Sequence, residues 1–229
     1  MRAMILAAGR GERMRPLTDT CPKPLLRAGG KPLIVWHIER LRDAGIGEIV
    51  INHAHLGHMI EAELGDGNEL GVRLQYSAEA QALETAGGIR QALPLLGCTP
   101  FLVINGDIFC DADLAAIYRK ETTLSADGDL AHLLMVANPA HHLQGDFCLR
   151  EGRLHETTGE RLTFSGIGLY HPALFADVPA GVPAKLGPLL RKAMAAEQIG
   201  GARHDGYWLD VGTPQRLAEL DAHLNSNQP

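Results

Sequence analysis

The residues with the clearest chemical potential lie near the amino terminus, in a loop that follows a short apolar run. Gly9 and Gly11 stand in this loop, followed by Arg13 and by Lys23, which lies between two prolines. Glycine lets the backbone approach a ligand closely, and arginine and lysine offer phosphate oxygens both charge and hydrogen-bond donors. The spacing therefore predicts a site for a nucleoside triphosphate.

Two common phosphate-binding templates do not fit this loop. A dinucleotide fingerprint requires a third glycine where this chain has Met14, and a P-loop requires Gly-Lys followed by Ser or Thr, which the chain lacks. A Gly-x-Gly pair after a strand is also compatible with an ordinary strand-to-helix turn. The cations Arg13 and Lys23 favour phosphate binding over that alternative.

Two aspartates elsewhere in the chain are candidate metal ligands. Asp107 follows an apolar strand and Gly106, and Asp210 lies just before Gly212 and a predicted helix start. Mg²⁺ takes few protein ligands and completes its octahedron with water and phosphate oxygens, so two carboxylates are sufficient. An aspartate that only caps a turn is the alternative at Asp107.

The distribution of charge favours a small anionic ligand. The chain has 229 residues, 45% of them hydrophobic, and a net charge of −6, which argues against general nucleic-acid binding. Between residues 9 and 31, however, six lysines or arginines stand against two acids. A cationic loop on an acidic protein is typical of a site for a small polyanion.

The remaining composition indicates a cytoplasmic protein. The four cysteines form no Cys-x-x-Cys pair, so we expect free thiols in a reducing compartment. The first apolar run is short and ends in the glycine loop, so we expect no signal peptide, and no run approaches the length of a membrane span. We expect no nucleic-acid or membrane partner, and a monomer or a weak homo-oligomer.

The periodicity predicts a single α/β domain over residues 1–229. In residues 1–129, strands alternate with helices predicted at 32–43, 56–64 and 84–93, which indicates parallel strands with helices on both faces. Residues 130–229 contain more strands and fewer helices, which indicates a mixed or antiparallel extension. In such sheets ligands bind beyond the carboxyl ends of the strands, where the glycine loop lies.

Three ordered motifs resemble the sugar-1-phosphate nucleotidyltransferases. Residues 7–24 match Ala-Ala-Gly-x-Gly-x-Arg-x-x-Pro-Leu-Thr followed by Pro-Lys-Pro, residues 105–107 match Asn-Gly-Asp, and residues 208–213 match Trp-x-Asp-x-Gly-Thr. The resemblance implies a Rossmann-like, GT-A-like, mainly parallel mixed sheet and dependence on Mg²⁺. It implies a nucleotide-binding half, 1–129, and a sugar-binding half, 130–229. The chain stops about where the catalytic domain should, so we expect no C-terminal β-helix domain.

The resemblance also implies roles for individual residues. Arg13 would hold the triphosphate and the leaving pyrophosphate, Lys23 would neutralise the reacting phosphates, and both are the catalytic candidates. Asp107 and Asp210 would hold Mg²⁺. The sugar would contact Asn105, Asp146 and Glu156. The nucleotide would contact Ala8, Gly9, Gly11, Glu12, Arg13, Lys23, Glu79, Thr85 and Gly88.

Two local segments narrow the resemblance. Many relatives carry Leu-Gly-Thr-Ala-Gly in the base-binding loop, where this chain has Glu84 in place of the glycine. Together with residues 138–147 and 163–167, this looks most like the N-acetylmuramate-1-phosphate uridylyltransferases of cell-wall recycling, which implies UTP as donor and UDP-MurNAc as product. The alternatives are mannose-1-phosphate with GTP, glucose-1-phosphate with dTTP or UTP, and a nucleotide-sugar sensor without turnover.

Overall fold

The computed structural model describes residues 2–226, which form one large mixed sheet, two small sheets and the helices that pack on them. The strands are β1 (Arg2–Leu6), β2 (Arg27–Ala28), β3 (Lys31–Pro32), β4 (Glu48–His53), β5 (Arg73–Ala78), β6 (Phe101–Asn105), β7 (Ile108–Cys110), β8 (Ala131–Val136), β9 (Phe147–Arg150), β10 (Arg153–His155), β11 (Glu160–Tyr170), β12 (Ile199–His204) and β13 (Trp208–Asp210). The α-helices are α1 (Leu33–Asp43), α2 (Gly57–Leu64), α3 (Glu84–Leu96), α4 (Leu114–Tyr118), α5 (Leu186–Ala195) and α6 (Pro214–Ser226).

The large sheet changes character at β6. Its strand order is β5-β4-β1-β6-β11-β8-β12-β10-β9, and the pairs among β5, β4, β1 and β6 are all parallel. Beyond β6 the pairs are antiparallel except for β12 with β8. Parallel strands need crossover connections, which α1, α2 and α3 supply. The mixed α/β sheet predicted from the sequence is therefore confirmed.

Helices cover both faces of the sheet because successive strand residues point in opposite directions. On β1, Ile5 belongs to a core cluster with residues of α1 and α2, whereas Met4 belongs to a second cluster with residues of α3 and α5. Each helix presents an apolar stripe at a spacing of three or four residues, as Ile34, Ile38 and Leu41 do on α1. Burial of these stripes fixes the helices on the sheet.

A third core cluster ties the phosphate loop to the C-terminal helix. It contains Met14 from the loop, Phe109 from β7, Val211, and Leu220 and Leu224 from α6. These side chains come from distant parts of the sequence and pack together at one end of the sheet. The cluster therefore holds the loop, the β7–β13 pair and α6 in one place.

The structure differs from the sequence expectations mainly in short elements. The sequence from Pro183 to Ala196 predicts a helix, which in the structure begins at Leu186, and the short strands β7 and β13 have no clear sequence pattern. Strand β12 contains Gly200 and Gly201, and glycines inside a strand make it hard to recognise from the sequence. The last helix begins at Pro214 as predicted. The four cysteines are free thiols, also as predicted.

Within residues 2–226, no helix combines the length and the apolar character needed to cross a bilayer. The same residues contain no β-helix.

Candidate active site

The loop after β1 is fixed by side chains at both of its ends. The backbone N–H of Ala7 donates to the Oδ1 of Asn52, a buried residue of β4, at 3.0 Å. Thr18 donates its hydroxyl to the carbonyl of Gly11 at 2.9 Å. Gly11 has a φ of 70°, in the left-handed region that glycine adopts without steric cost. The loop is therefore preorganised at the carboxyl edge of the sheet.

Lys23 reaches the centre of this edge. It begins a short 3₁₀ turn, Lys23–Leu25, and its side chain is only 9% exposed. Its Nζ donates to the Oδ2 of Asp107 at 2.7 Å, and the Asp107 side chain is 43% exposed. A buried amine needs a carboxylate or another acceptor, because desolvation penalises an unpaired charge. Asp107 supplies this partner while staying accessible.

Asp107 and Asp210 are brought together by the pairing of β7 with β13. The strands run antiparallel with Asp210 opposite Ile108, and the backbone N–H of Val211 donates to the Asp107 carbonyl at 2.8 Å. Before this pair, Gly106 donates its N–H to the Leu6 carbonyl at 2.8 Å, and a β-carbon there would stand 2.6 Å from that same oxygen. Only glycine allows this approach of β1 to the turn that carries Asp107.

Asp210 is held by two side chains from different parts of the chain. Arg216, on the first turn of α6, donates Nη1 to the Asp210 Oδ2 at 2.6 Å. His141, from the loop between β8 and β9, places Nε2 3.1 Å from the same oxygen. The Asp210 side chain is 21% exposed and that of Arg216 is 14% exposed. The resulting group links the metal candidate Asp210 to α6 and to the loop between β8 and β9.

His37 lies close behind this region without adding charge to it. It is a buried residue of α1. Burial lowers the pKa of His37 to about 4, and the neighbouring Arg40 acts in the same direction. The imidazole is therefore neutral at pH 7, and Lys23 and Arg216 are the cations that pair with the two aspartates.

Two cavities meet at the Lys23–Asp107 pair. The larger has a volume of about 410 Å³, and the smaller has about 200 Å³. Gly9, Lys23 and Asp107 line both of them. The smaller cavity is also lined by Gly11, Glu12, Arg13 and Gly212. Within the described part of the chain, the Arg13 guanidinium makes no ion pair or hydrogen bond, so its charge is available to an anion in this cavity.

The nucleotide candidates fall into two groups by position. Ala8 and Thr85 line the larger cavity. Glu79 and Gly88 instead lie behind its wall: Glu79 is buried, accepts from the Asn52 amide at 2.7 Å and accepts from the Leu83 N–H at 2.8 Å. A β-carbon on Gly88 would stand 2.6 Å from the Glu79 Oε1. These two residues thus support the first turn of α3, which carries Thr85.

The three sugar candidates are not brought together. Asn105 lines the larger cavity. Asp146 lines neither cavity and accepts from the Phe164 N–H at 2.8 Å and pairs with His142 at 3.1 Å. Glu156 also lines neither cavity, and its carboxylate lies 3.2 Å from the Nε of Arg191 on α5. Of the three, only Asn105 faces the space beside Lys23 and Asp107.

Comparison with known proteins agrees with this geometry. Residues 2–143 match the family model described as nucleotidyl transferase. The chain belongs to the nucleotidyltransferase family. Its motif-bearing loop, the Lys23–Asp107 pair and the larger cavity all fall within the matched residues.

Individual relatives extend the similarity over nearly the whole nucleotidyltransferase chain. It is 55% identical over 226 residues to N-acetylmuramate alpha-1-phosphate uridylyltransferase of Neisseria meningitidis, covering 97% of each chain. It is 36% identical to the protein of the same name from Caulobacter vibrioides, covering 97% of this chain and 96% of that one. A putative glucose-1-phosphate thymidylyltransferase from Bacillus anthracis shares the fold, with a TM-score of 0.86 at 21% identity over 100% of this chain and 97% of that one.

Sequence reasoning missed three residues that the nucleotidyltransferase fold places at or beside the cavities. Asn52 lines the larger cavity, and Arg216 and His141 contact Asp210. Asn52 had a usable signal, since it is a polar residue that follows three apolar residues of a predicted strand. Arg216 had none, because an arginine in the first turn of a surface helix is ordinary.

Proposed function

We propose that this nucleotidyltransferase transfers UMP from UTP to N-acetylmuramate α-1-phosphate, giving UDP-MurNAc and pyrophosphate, in a cytoplasmic reaction that recycles peptidoglycan sugars. The observation that carries the proposal is the 55% identity, over 97% of both chains, to a protein named for that activity. The two cavities that join at Lys23 and Asp107 support it, because the reaction needs room for a nucleotide and for a leaving pyrophosphate.

In the proposed reaction, an oxygen of the sugar-1-phosphate attacks the α-phosphorus of UTP. A new P–O bond forms there, the bond to the β-phosphate oxygen breaks, and pyrophosphate leaves with the bonding electrons. The nucleophile is already an anion at neutral pH, so no general base is needed. The enzyme must align the reacting groups and neutralise charge.

We assign the larger cavity to the nucleoside and the sugar, and the smaller cavity to the β- and γ-phosphates. This division is supported by the residues present: the larger cavity has backbone and polar side-chain groups at Ala8, Thr85 and Asn105, whereas the smaller one has Arg13. The α-phosphate would then lie at the junction beside Lys23. The backbone of residues 8–11 would approach base, ribose and phosphates from one side.

Lys23 is proposed to stabilise the negative charge that develops on the α-phosphate. Its side chain is buried and its ammonium is held by Asp107, so it needs little reorganisation to reach that position. Arg13 is proposed to stabilise the leaving pyrophosphate through a planar fork of donors, which suits phosphate oxygens.

The residues present also fit Mg²⁺. Asp107 and Asp210 offer hard oxygen ligands on two adjacent strand ends, and both side chains are partly accessible. When bound there, the ion would neutralise phosphate charge and fix the triphosphate relative to the sugar phosphate. We assign Glu156 no contact with the sugar, because its carboxylate pairs with Arg191. Asp146 would act indirectly, by holding its own loop against Phe164 of β11.

The substrate assignment is tested by a matrix of nucleoside triphosphates against sugar-1-phosphates with Mg²⁺, scored by pyrophosphate release. We expect the highest kcat/KM for UTP with N-acetylmuramate α-1-phosphate. A higher value for GTP with mannose-1-phosphate, or for dTTP with glucose-1-phosphate, would replace the proposed substrates. No release with any pair would support a nucleotide-sugar sensor instead.

A further inference from the structure

Arg216 is positioned with little freedom beside the phosphate cavity. The Thr213 hydroxyl accepts from the backbone N–H of Arg216 at 3.4 Å, which fixes the first turn of α6. From this turn the side chain folds back over Asp210, where its Nη1 lies 2.6 Å from Oδ2 and 2.7 Å from the Nε2 of His141. One guanidinium nitrogen of Arg216 therefore contacts both Asp210 and His141.

A second arginine lies next to Arg216. A β-carbon built on Gly212, which lines the smaller cavity, would stand 2.6 Å from the Nη2 of Arg216 and 2.9 Å from the Nη2 of Arg13. Two guanidinium groups, and the Asp210 Oδ1 at 2.7 Å, thus approach the same point. With Lys23 they make three cations around the smaller cavity, while Asp107, Asp210 and Glu12 supply three carboxylates.

Asp210 and a phosphate compete for Arg216 in this geometry. The nitrogen Nη1 is committed to Asp210, so the carboxylate has one of its oxygens covered by a cation. A divalent ion held by both Asp210 oxygens requires Oδ2 to exchange partners, and the displaced guanidinium would remain within reach of Gly212 and Arg13. Two arginines placed side by side suit the several oxygens of a diphosphate.

We propose that Arg216 is a second pyrophosphate-binding arginine, which exchanges Asp210 for phosphate oxygens when the triphosphate occupies the smaller cavity. The inference rests on the proposed nucleotidyl transfer. It adds a phosphate contact from α6, opposite the N-terminal loop that carries Arg13. Gly212 makes the contact possible, because any side chain there would stand between the two guanidinium groups.

The test is calorimetric binding of magnesium pyrophosphate to the full chain and to Arg216→Gln, with Arg216→Lys as the variant that keeps the charge. We expect Arg216→Gln to bind pyrophosphate about tenfold or more weakly, on the scale of one hydrogen bond to a charged group, and Arg216→Lys to lose less. The matched control is Arg203→Gln. Arg203 also lies 2.6 Å from an aspartate, Asp205, but lines neither cavity.

A second measurement tests whether Arg216 leaves Asp210 when it binds phosphate, or only attracts the phosphate from its place beside Asp210. Titration of Mn²⁺ alone, followed by electron paramagnetic resonance, should show tighter binding to Arg216→Gln than to the parent chain, because Asp210 has lost its competing cation. Unchanged pyrophosphate affinity in Arg216→Gln would overturn the phosphate contact. Unchanged or weaker Mn²⁺ binding would overturn the exchange.

The two proposals fail separately in these experiments. Pyrophosphate binding does not depend on which sugar or base is used, so a wrong substrate assignment leaves the Arg216 result intact. Conversely, a parent chain that turns over UTP and N-acetylmuramate α-1-phosphate while Arg216→Gln binds pyrophosphate normally would overturn only the role of Arg216.

Discussion

At the scale of single residues, the site depends on a few charges held at short range. Lys23 is the most constrained of them, because it is buried and its ammonium has one carboxylate partner, Asp107, at 2.7 Å. Such a cation is already desolvated before a phosphate arrives, which strengthens its interaction with a developing negative charge.

Replacement of Lys23 by alanine should therefore reduce kcat by about 10²-fold or more, the cost of losing one preorganised charge contact in a transition state. Pyrophosphate release measures the effect, and circular dichroism checks the fold. Lys31→Ala is the matched control, since Lys31 also pairs with a carboxylate, Glu39, at 2.5 Å but lines neither cavity. Near-normal kcat in Lys23→Ala would mean that Lys23 only shapes the loop.

Asp107→Asn should lose Mg²⁺-dependent turnover while keeping the fold. An amide has nearly the same shape as the carboxylate but lacks the charge that a hard divalent cation requires. The measurement is the rate of pyrophosphate release across a range of Mg²⁺ concentrations, with thermal unfolding alongside it. Activity close to that of the parent chain, at the same Mg²⁺ dependence, would remove Asp107 from the metal site.

The sequence predicted the residues of the N-terminal loop better than those around Asp210. Gly11, Arg13 and Lys23 lie close together in the chain, so their types and spacing indicate phosphate binding without knowledge of the fold. The contacts of Asp210 with Arg216 and His141 depend on a loop and a helix that meet only in the folded chain. No local pattern marks those two partners.

At the scale of elements, the first turn of α3 stores backbone strain in the wall of the larger cavity. Glu84 has a φ of 59°, a conformation that costs a non-glycine residue roughly 1–2 kcal/mol. Such strain is commonly kept where a side chain serves a site. The resemblance to relatives with glycine at this position had already singled out Glu84.

Glu84→Gly should consequently leave the free energy of unfolding unchanged or raise it by up to about 1 kcal/mol, since glycine adopts this φ without steric cost. Ala92→Gly is the contrasting variant in the same helix, and it should lower that free energy by about 1 kcal/mol because Ala92 lies in the buried helix interior. Urea denaturation measures both. A loss in Glu84→Gly as large as that in Ala92→Gly would show that the Glu84 side chain stabilises the fold.

The short strands β7 and β13 explain why the sequence could not predict how the two aspartates meet. Each has three residues, too few for a periodic pattern to identify. Their pairing nevertheless sets Asp210 opposite Ile108, next to Asp107. The longer elements, by contrast, were predicted well because burial imposes a clear period on them.

At the scale of the whole molecule, one sheet carries both halves of the proposed site. The parallel strands up to β6 end at the phosphate loop, and β11 continues the same sheet into the sugar half. A mixed sheet of this kind was predictable from the change in pattern near residue 130. The division into a nucleotide half, 1–129, and a sugar half, 130–229, stays a prediction.

A buried histidine, His37, and a partly buried one, His132, should make the fold sensitive to acid. Burial lowers the pKa of His37 and of His132 to about 4, below the ordinary histidine value of 6.5. Between pH 4 and pH 6.5 the unfolded chain therefore binds more protons than the folded chain. Stability is therefore full above about pH 6.5 and falls as pH decreases, by up to about 1.4 kcal/mol per pH unit for His37 and by less for the more exposed His132. Urea denaturation between pH 7 and pH 5 should show the fall.

His132→Gln separates this effect from general acid titration. His132 lies on β8, away from both cavities, and its replacement should reduce the loss of stability between pH 7 and pH 5 relative to the parent chain. An identical pH dependence in the two proteins would show that His132 does not contribute.

The most direct measurement of the central claim follows the α-phosphorus itself. UTP labelled at that atom is mixed with N-acetylmuramate α-1-phosphate, Mg²⁺ and the full chain, and the products are separated. Transfer of UMP predicts that the label appears in UDP-MurNAc, with an equal amount of unlabelled pyrophosphate. Label that remains in UTP, or that appears only as free UMP, would contradict the account.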